Sequence, residues 1–217
     1  MSDLWIELNI ALLPSPEVAR NLVAASGEFA RKYPAVVRLG EANRRLTMAP
    51  HLTLYQVPVP LARMARLHDG LERIARAGRP AELKYQGLAY NAGEASLEVQ
   101  TVVTDELENL QRSVIELANP MRGGRLLERD PAGNRLADVG GGTIVGTNIA
   151  STGYAEIGEL FRPHYTLNWF EPGTIIHERD MVADSAALTG CYTALGMFAL
   201  GPYGTCPQLL ARYEFGG

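Results

Sequence analysis

The chain has 217 residues, a net charge of −4, a hydrophobic share of 47% and a charged share of 20%. This composition is typical of a folded globular protein and excludes disordered, collagen-like and coiled-coil chains. A negative net charge argues against a protein that coats long double-stranded nucleic acid, because such binders depend on a broad cationic surface. It is compatible with a small phosphorylated substrate or a single RNA end.

The sequence carries no signal for a membrane or an export pathway. No apolar run reaches the roughly 18 residues that a membrane-crossing helix requires, and the first residues lack the cationic start and apolar stretch of a signal peptide. The two cysteines, Cys191 and Cys206, form no C-x-x-C pair, which fits a reducing compartment. We therefore expect a cytoplasmic protein with no membrane partner.

In the first half of the chain, apolar periodicity predicts the order β-α-β-α-β-β-α. The opening strand alternates over Leu4–Ile10 and presents Asn9 on the face opposite its apolar one. A helix follows, with Ser15 as N-cap and Pro16 in its first turn. The remaining predicted elements are a strand over His51–Tyr55, a helix over Leu61–Ala77, strands near Glu82–Tyr90 and Ser96–Val103, and a helix capped at Thr104 or Asp105.

Periodicity weakens in residues 121–153, where glycine is frequent. We expect a loop or insertion there, within one domain of residues 1–217, and a single strand at Thr143–Val145. Regular patterns return in a strand over His164–Phe170, a helix around Asp180–Leu188 and a strand-like C-terminal segment broken at Gly201-Pro202. Such a mixture of elements is typical of an α+β or α/β fold.

One five-residue pattern occurs twice. Residues 50–54 read Pro-His-Leu-Thr-Leu, and residues 163–167 read Pro-His-Tyr-Thr-Leu. The chain has only 4 histidines, and the chance of this frame around a given histidine is on the order of 10⁻⁴. A distant duplication, or convergence on one chemistry, explains the repeat better than accident.

Both repeats lie in predicted strands, where alternate side chains share a face. Each motif is therefore predicted to place its imidazole, its hydroxyl and the residue two positions further on one face: His51, Thr53 and Tyr55 in the first motif, and His164, Thr166 and Asn168 in the second. The residues between them turn into the core. If a pseudo-two-fold axis relates the two strands, two imidazoles and two hydroxyls meet at one point.

A phosphodiester fits that point better than a metal ion does. Metal sites normally take three or more His, Cys or carboxylate ligands, and threonine hydroxyls are poor ligands, so we expect no metal and no cofactor. The hydroxyls can donate hydrogen bonds to the non-bridging oxygens of the phosphate. One neutral and one protonated imidazole supply the base and the acid that hydrolysis needs, and ring strain in a cyclic phosphate favours departure of the leaving oxygen.

Two H-x-T-Φ motifs on strands (Φ is hydrophobic), about a hundred residues apart, resemble those of the 2H phosphoesterase superfamily, which includes the RNA 2′,3′-cyclic phosphodiesterases, also called 2′-5′ RNA ligases. The resemblance implies a bilobal α+β fold in which two antiparallel sheets face each other across a central cleft. It also implies outer helices, pseudo-two-fold symmetry and both chain ends in one lobe. The activity it implies is metal-independent hydrolysis of a 2′,3′-cyclic phosphate, on a nucleotide or RNA end, to a 2′-phosphate.

In the scheme that the resemblance implies, His51 is the proton donor, His164 is the proton acceptor, and both threonines hold phosphate oxygens. The two motifs are near mirror images, so the sequence itself leaves the order of donor and acceptor open. Further candidates for lining the cleft are a tyrosine that would stack on a base, an arginine that would pair with phosphate, and two asparagines: Tyr55, Arg162, Asn9 and Asn168.

The sequence is also compatible with two other functions. The cleft could recognise a nucleotide or RNA end without turning it over, because residues 121–153 could block or reshape the site. Alternatively, the chain could hydrolyse a small non-nucleotide cyclic phosphate, if Tyr55 does not stack on a base.

Overall fold

The structure is a computed structural model that describes residues 4–40 and 47–216. Its strands run over Trp5–Pro14 (β1), Ala35–Leu39 (β2), Thr47–Met48 (β3), Leu52–Pro60 (β4), Ala81–Leu83 (β5), Tyr85–Asn91 (β6), Ser96–Thr101 (β7), His164–Phe170 (β8), Gly190–Ala199 (β9) and Gln208–Glu214 (β10). Its α-helices are Pro16–Lys32 (α1), Met64–Ala77 (α2), Asp105–Ala118 (α3), Ile144–Thr152 (α4) and Ser185–Leu188 (α5). Within the described ranges, no helix is both long and apolar enough to cross a bilayer.

The strands form two five-stranded sheets. The first sheet has the order β10-β9-β1-β4, with β5 also paired to β9, and all its neighbours are antiparallel. The second has the order β3-β2-β8-β7-β6 and is antiparallel except for the two-residue pair of β2 and β3. The predicted α+β architecture of two antiparallel sheets is therefore confirmed, and the first and last strands both belong to the first sheet.

Amphipathic helices cover the two sheets. Helix α1 begins at the predicted N-cap, Ser15, whose Oγ accepts a hydrogen bond from the Val18 amide, and it packs on β2 and β8 of the second sheet. Helix α3 begins at Thr104 and packs on β4 of the first sheet beside α2. The buried faces of these helices and the inner faces of the strands share one large apolar core.

Three local predictions were wrong. The stretch Thr143–Val145 begins helix α4 instead of forming a strand, because the Thr143 hydroxyl caps that helix by accepting from the Gly146 amide. The stretch Glu82–Tyr90 is two strands in different sheets, β5 and β6, and the chain changes sheet at Lys84. The helix expected around Asp180–Leu188 is reduced to the single turn α5.

Strand β4 carries a β-bulge within its histidine motif. Thr53 pairs with Ala11 and Tyr55 pairs with Ile10, so Leu54 is an extra residue without a partner on β1. A bulge shifts the alternation of side chains by one position beyond it. The residues that follow the bulge therefore point to the opposite face from the one that strict alternation predicts.

Strand β8 carries a bulge at the equivalent position of the second motif. Thr166 pairs with Glu98 and Asn168 pairs with Leu97, which leaves Leu167 as the extra residue. In both strands the extra residue is the third after the motif histidine. The two motifs thus share a bulge at the same position as well as a sequence pattern.

Each bulge is held by a buried polar side chain of the helix behind it. Gln111 of α3 donates from Nε2 to the carbonyl oxygen of Leu54 at 3.1 Å. Ser26 of α1 donates from Oγ to the carbonyl oxygen of Leu167 at 2.8 Å, and it accepts from the Leu39 amide at 2.9 Å. A buried carbonyl without a partner costs about 1–3 kcal/mol, so these bonds favour the bulged form of each strand.

We expect Ser26→Ala to lower the free energy of unfolding by about 1–3 kcal/mol, because a buried carbonyl and a buried amide lose their shared partner. Urea titration monitored by circular dichroism measures the change. Ser113→Ala is the matched control: the Ser113 hydroxyl is exposed and bonds within its own helix, so a change within about 0.5 kcal/mol is expected. Equal effects of the two substitutions would contradict this account of the bulge.

Candidate active site

A cavity of about 880 Å³, including its solvent-open part, lies where the two sheets face each other. Each motif contributes three residues to its wall, at the same spacing. They are the histidine, the threonine two residues after it, and the residue five positions after it. These residues are His51, Thr53 and Gln56 from the first motif, and His164, Thr166 and Trp169 from the second. The structure therefore brings together both histidines and both threonines that the sequence singles out.

The two imidazoles are oriented in the same way. His51 Nδ1 lies 2.7 Å from the carbonyl oxygen of Ala49, and His164 Nδ1 lies 2.7 Å from that of Arg162. A carbonyl oxygen can only accept, so Nδ1 carries the hydrogen in each ring. Nε2 is then the atom that takes up or releases a proton on each histidine.

The surroundings of His51 favour its neutral form. The residue is only 7% exposed, and its ring lies against Phe198. Burial lowers the pKa of His51 to about 4, and the charge of a protonated His164 acts in the same direction, while the hydrogen bond to Ala49 opposes them. At neutral pH the His51 Nε2 therefore has a free lone pair.

The surroundings of His164 differ from those of His51. Glu98 on the neighbouring strand β7 is 3% exposed, and its Oε1 lies 3.9 Å from His164 Nε2. His164 therefore has an acidic neighbour, whereas the ring of His51 lies against an apolar one. The two histidines thus have matching backbone geometry and different surroundings.

The first threonine is positioned by a buried amide. Asn9 Nδ2 donates to Thr53 Oγ1 at 3.0 Å, so the hydroxyl of Thr53 keeps its own hydrogen for another acceptor. Asn9 is fully buried and is not part of the cavity wall. The prediction that Asn9 lines the cleft is corrected: it lies behind Thr53 and orients it.

Two other residues that were predicted to line the cleft are buried instead, because each follows a bulge. Tyr55 is fully buried, and its hydroxyl donates to the carbonyl oxygen of Thr152. Asn168 is also fully buried, and its Nδ2 donates to the carbonyl oxygen of Ser26 at 3.3 Å. Strict alternation predicted the wrong face for both, since each follows the extra residue of its strand.

Arg162 lines the cavity, as the sequence suggested, but its guanidinium is already paired. Nη2 lies 2.8 Å from Glu156 Oε1, and Nη1 lies 3.6 Å from Glu98 Oε2. About half of the side chain remains exposed. A phosphate at this guanidinium would have to compete with two carboxylates.

Several residues of the cavity wall were not predicted from the sequence. They comprise two side chains that the bulges turn toward the cavity, four carboxylates, and a tyrosine in the connection between β9 and β10: Gln56, Trp169, Glu94, Glu98, Asp130, Glu156 and Tyr203. Residues 121–153 also contribute apolar wall residues, Leu127 and Leu136. In the described part of the chain, no three His, Cys, Asp or Glu side chains form a group that could hold a metal ion.

Comparison with family models finds no match, and neither does comparison with curated proteins. Solved structures do resemble the chain. The protein TT0787 of Thermus thermophilus is 17% identical with a TM-score of 0.64, covering 98% of this chain and 99% of that one. E. coli LigT complexed with phosphate is 14% identical with a TM-score of 0.59, covering all of both chains. The chain therefore has the fold of LigT along its length.

The pKa of His51 predicts a pH dependence of stability. Between about pH 6.5 and pH 4 the unfolded chain binds a proton at this histidine and the folded chain does not, so the free energy of unfolding falls as the pH is lowered. We expect His51 to account for about 3 kcal/mol of that fall, because each pKa unit corresponds to about 1.4 kcal/mol.

Urea titrations at pH 7 and pH 4 measure this contribution. His51→Asn should reduce the difference between the two pH values by about that amount, while His177→Asn, at an exposed position, should leave it nearly unchanged. The same pH dependence in the wild type and in His51→Asn would show that burial does not hold His51 neutral.

Proposed function

We propose that this chain is a 2H phosphoesterase that hydrolyses the 2′,3′-cyclic phosphate of a nucleotide or RNA end without a metal ion. The observation that carries the proposal is the convergence of both motifs on one cavity, each with its histidine Nδ1 bonded to a backbone carbonyl. Paired imidazoles and paired hydroxyls around a single space are suited to a tetrahedral anion that needs both an acid and a base.

Complexes of a protein with the same fold support this choice of substrate class. E. coli LigT has been solved with phosphate and with 3′-AMP, the latter structure having 15% identity to this chain and a TM-score of 0.53. A nucleotide is favoured over a non-nucleotide ester here because three aromatic side chains besides the histidines line the cavity, and two of them, Trp169 and Tyr203, pack against each other. They take the stacking role that the sequence assigned to Tyr55.

In the proposed mechanism the phosphate lies between the two strands. Thr53 and Thr166 donate hydrogen bonds to its non-bridging oxygens. Water attacks phosphorus in line with the P–O3′ bond, and one imidazole Nε2 accepts the proton of that water. As the P–O3′ bond breaks, the other imidazole donates its proton to O3′, which leaves a 2′-phosphate and a 3′-hydroxyl.

We assign His51 as the base and His164 as the acid. This order is opposite to the one that the family resemblance implies, and it rests on the contrast between the two sites. His51 is buried and neutral at pH 7, whereas His164 has the Glu98 carboxylate 3.9 Å from its Nε2 as an ionic partner. A base must begin the reaction unprotonated and an acid must begin it protonated.

The cytoplasmic location stays a prediction. Both cysteines are free, Cys191 at an exposed position and Cys206 at a buried one, which agrees with a reducing compartment.

His51→Gln and His164→Gln should each lower kcat/KM for 2′,3′-cyclic AMP by about 10²-fold or more, because each removes one proton-transfer group. Chromatographic assay of 2′-AMP formation measures the rate. His177→Gln is the exposed control and should keep full activity, as should wild-type protein in EDTA. Tight binding of 2′-AMP with no turnover of any cyclic nucleotide would favour a binding module instead, and loss of activity in EDTA would contradict the mechanism.

Glu98→Gln tests the assignment of acid and base through the pH profile of kcat/KM. The substitution removes the ionic partner of the proposed acid, so the alkaline limb should move to lower pH while the acidic limb, set by His51, stays in place. Glu116→Gln, at an exposed position on α3, is the control. A shift of the acidic limb alone would reverse the two assignments.

A further inference from the structure

The wall of the cavity around the proposed phosphate position is acidic. Four carboxylates line it: Glu94, Glu98, Asp130 and Glu156. Among the described residues of the wall, Arg162 is the single arginine or lysine, and it is paired with two of these carboxylates. The part of the wall that residues 4–40 and 47–216 form therefore carries more negative than positive charge.

The four carboxylates are not equally available to a ligand. Asp130 accepts from the amide and side chain of Asn134, at 2.8 and 2.9 Å, and so stabilises its own loop. Glu98 lies beside His164, and Glu156 holds Arg162. The half-buried carboxylate of Glu94 has no hydrogen bond or ion pair with any residue that the structure describes, so no described group occupies its two oxygens.

The charges act on one another within the cavity. Burial raises the pKa of Glu94, and the neighbouring charges of Glu98, Glu156 and Asp130 raise it further, while Arg162 opposes them. These groups are therefore close enough for a further negative charge to be repelled and for a hydrogen-bond donor to be attracted.

One buried polar group in the wall, Nε1 of Trp169, has no hydrogen-bond partner within the described residues; the residue is 5% exposed. The Trp169 ring lies 5.3 Å from that of Tyr203, so segments of opposite sheets supply the two aromatic rings. Buried polar atoms normally have partners, and an unpaired N–H group beside two aromatic rings favours a polar, planar ligand.

We infer that the cavity selects cyclic nucleotides that carry a single phosphate and a base with N–H donors, and that Glu94 is the residue that enforces this choice. The inference rests on the proposed function and specifies its substrate. Guanine is the best match, because its N1–H and N2–H groups are adjacent and fit the two oxygens of one carboxylate. A second phosphate, such as one at the 5′ position, would face like charge.

The first test compares turnover of guanosine 2′,3′-cyclic phosphate with that of the same compound bearing a 5′-phosphate. We expect kcat/KM to be at least about tenfold higher without the 5′-phosphate at low salt, and the ratio to shrink as salt screens the carboxylates. Glu94→Gln should reduce the ratio, and Glu94→Lys should reverse it. Glu116→Gln, outside this cavity, should leave it unchanged.

The second test replaces guanosine with inosine, which lacks the 2-amino group. Wild-type protein should lose several-fold in kcat/KM on this change, and Glu94→Gln should lose little, because the partner of the amino group is already gone. Unfolding titrations of each variant verify that it folds. Equal rates with both bases in the wild type would overturn the assignment of Glu94 to the base.

Calorimetry separates failure of this inference from failure of the proposed function. Binding of 2′-GMP and of guanosine 2′,5′-bisphosphate requires no turnover, so weaker binding of the bisphosphate would support the acidic wall even in a protein without catalytic activity. Turnover of cyclic nucleotides with equal affinity for the two ligands would leave the proposed function standing and overturn the inference.

Discussion

The site depends on two hydrogen bonds that hold the β-bulges, from Gln111 to the Leu54 carbonyl and from Ser26 to the Leu167 carbonyl. A regular strand would place the fifth residue after each histidine in the core and leave the cleft without Gln56 and Trp169. With the extra residue in place, each strand presents an imidazole, a hydroxyl and a third side chain to the same cavity. The buried helix side chains thus determine which residues form the wall.

A scaffold with this internal symmetry produces two histidines that differ in chemistry. The backbone gives both rings the same tautomer, while the neighbouring strands supply different surroundings: apolar burial at His51 and the carboxylate of Glu98 at His164. Burial lowers the pKa of His51, although the same motif carries both histidines. The proposed difference in role therefore lies in the neighbours of each ring and not in either motif, which is why the motifs themselves leave it open.

The sequence predicted most of the elements, both histidine–threonine pairs of the cavity wall and Arg162, because local periodicity and a repeated motif reveal them. It could not reveal the bulges, since nothing in the alternation of Leu52–Gln56 marks an extra residue, and so Tyr55 and Asn168 were assigned to the wrong face. Helix α4 was missed because its residues lack a clear apolar stripe. The acidic wall arises from segments far apart in sequence, which only the folded chain brings together.

The path of the chain through the two sheets has a consequence for folding. After β1 in the first sheet the chain enters the second sheet, returns for β4 and β5, leaves again for β6 and β7, and comes back after β8. Neither lobe is a continuous piece of polypeptide, so neither can be produced as a fragment with its own complete sheet. Assembly of each half requires contacts between distant segments, which slows folding and couples the loss of one half to the loss of the other.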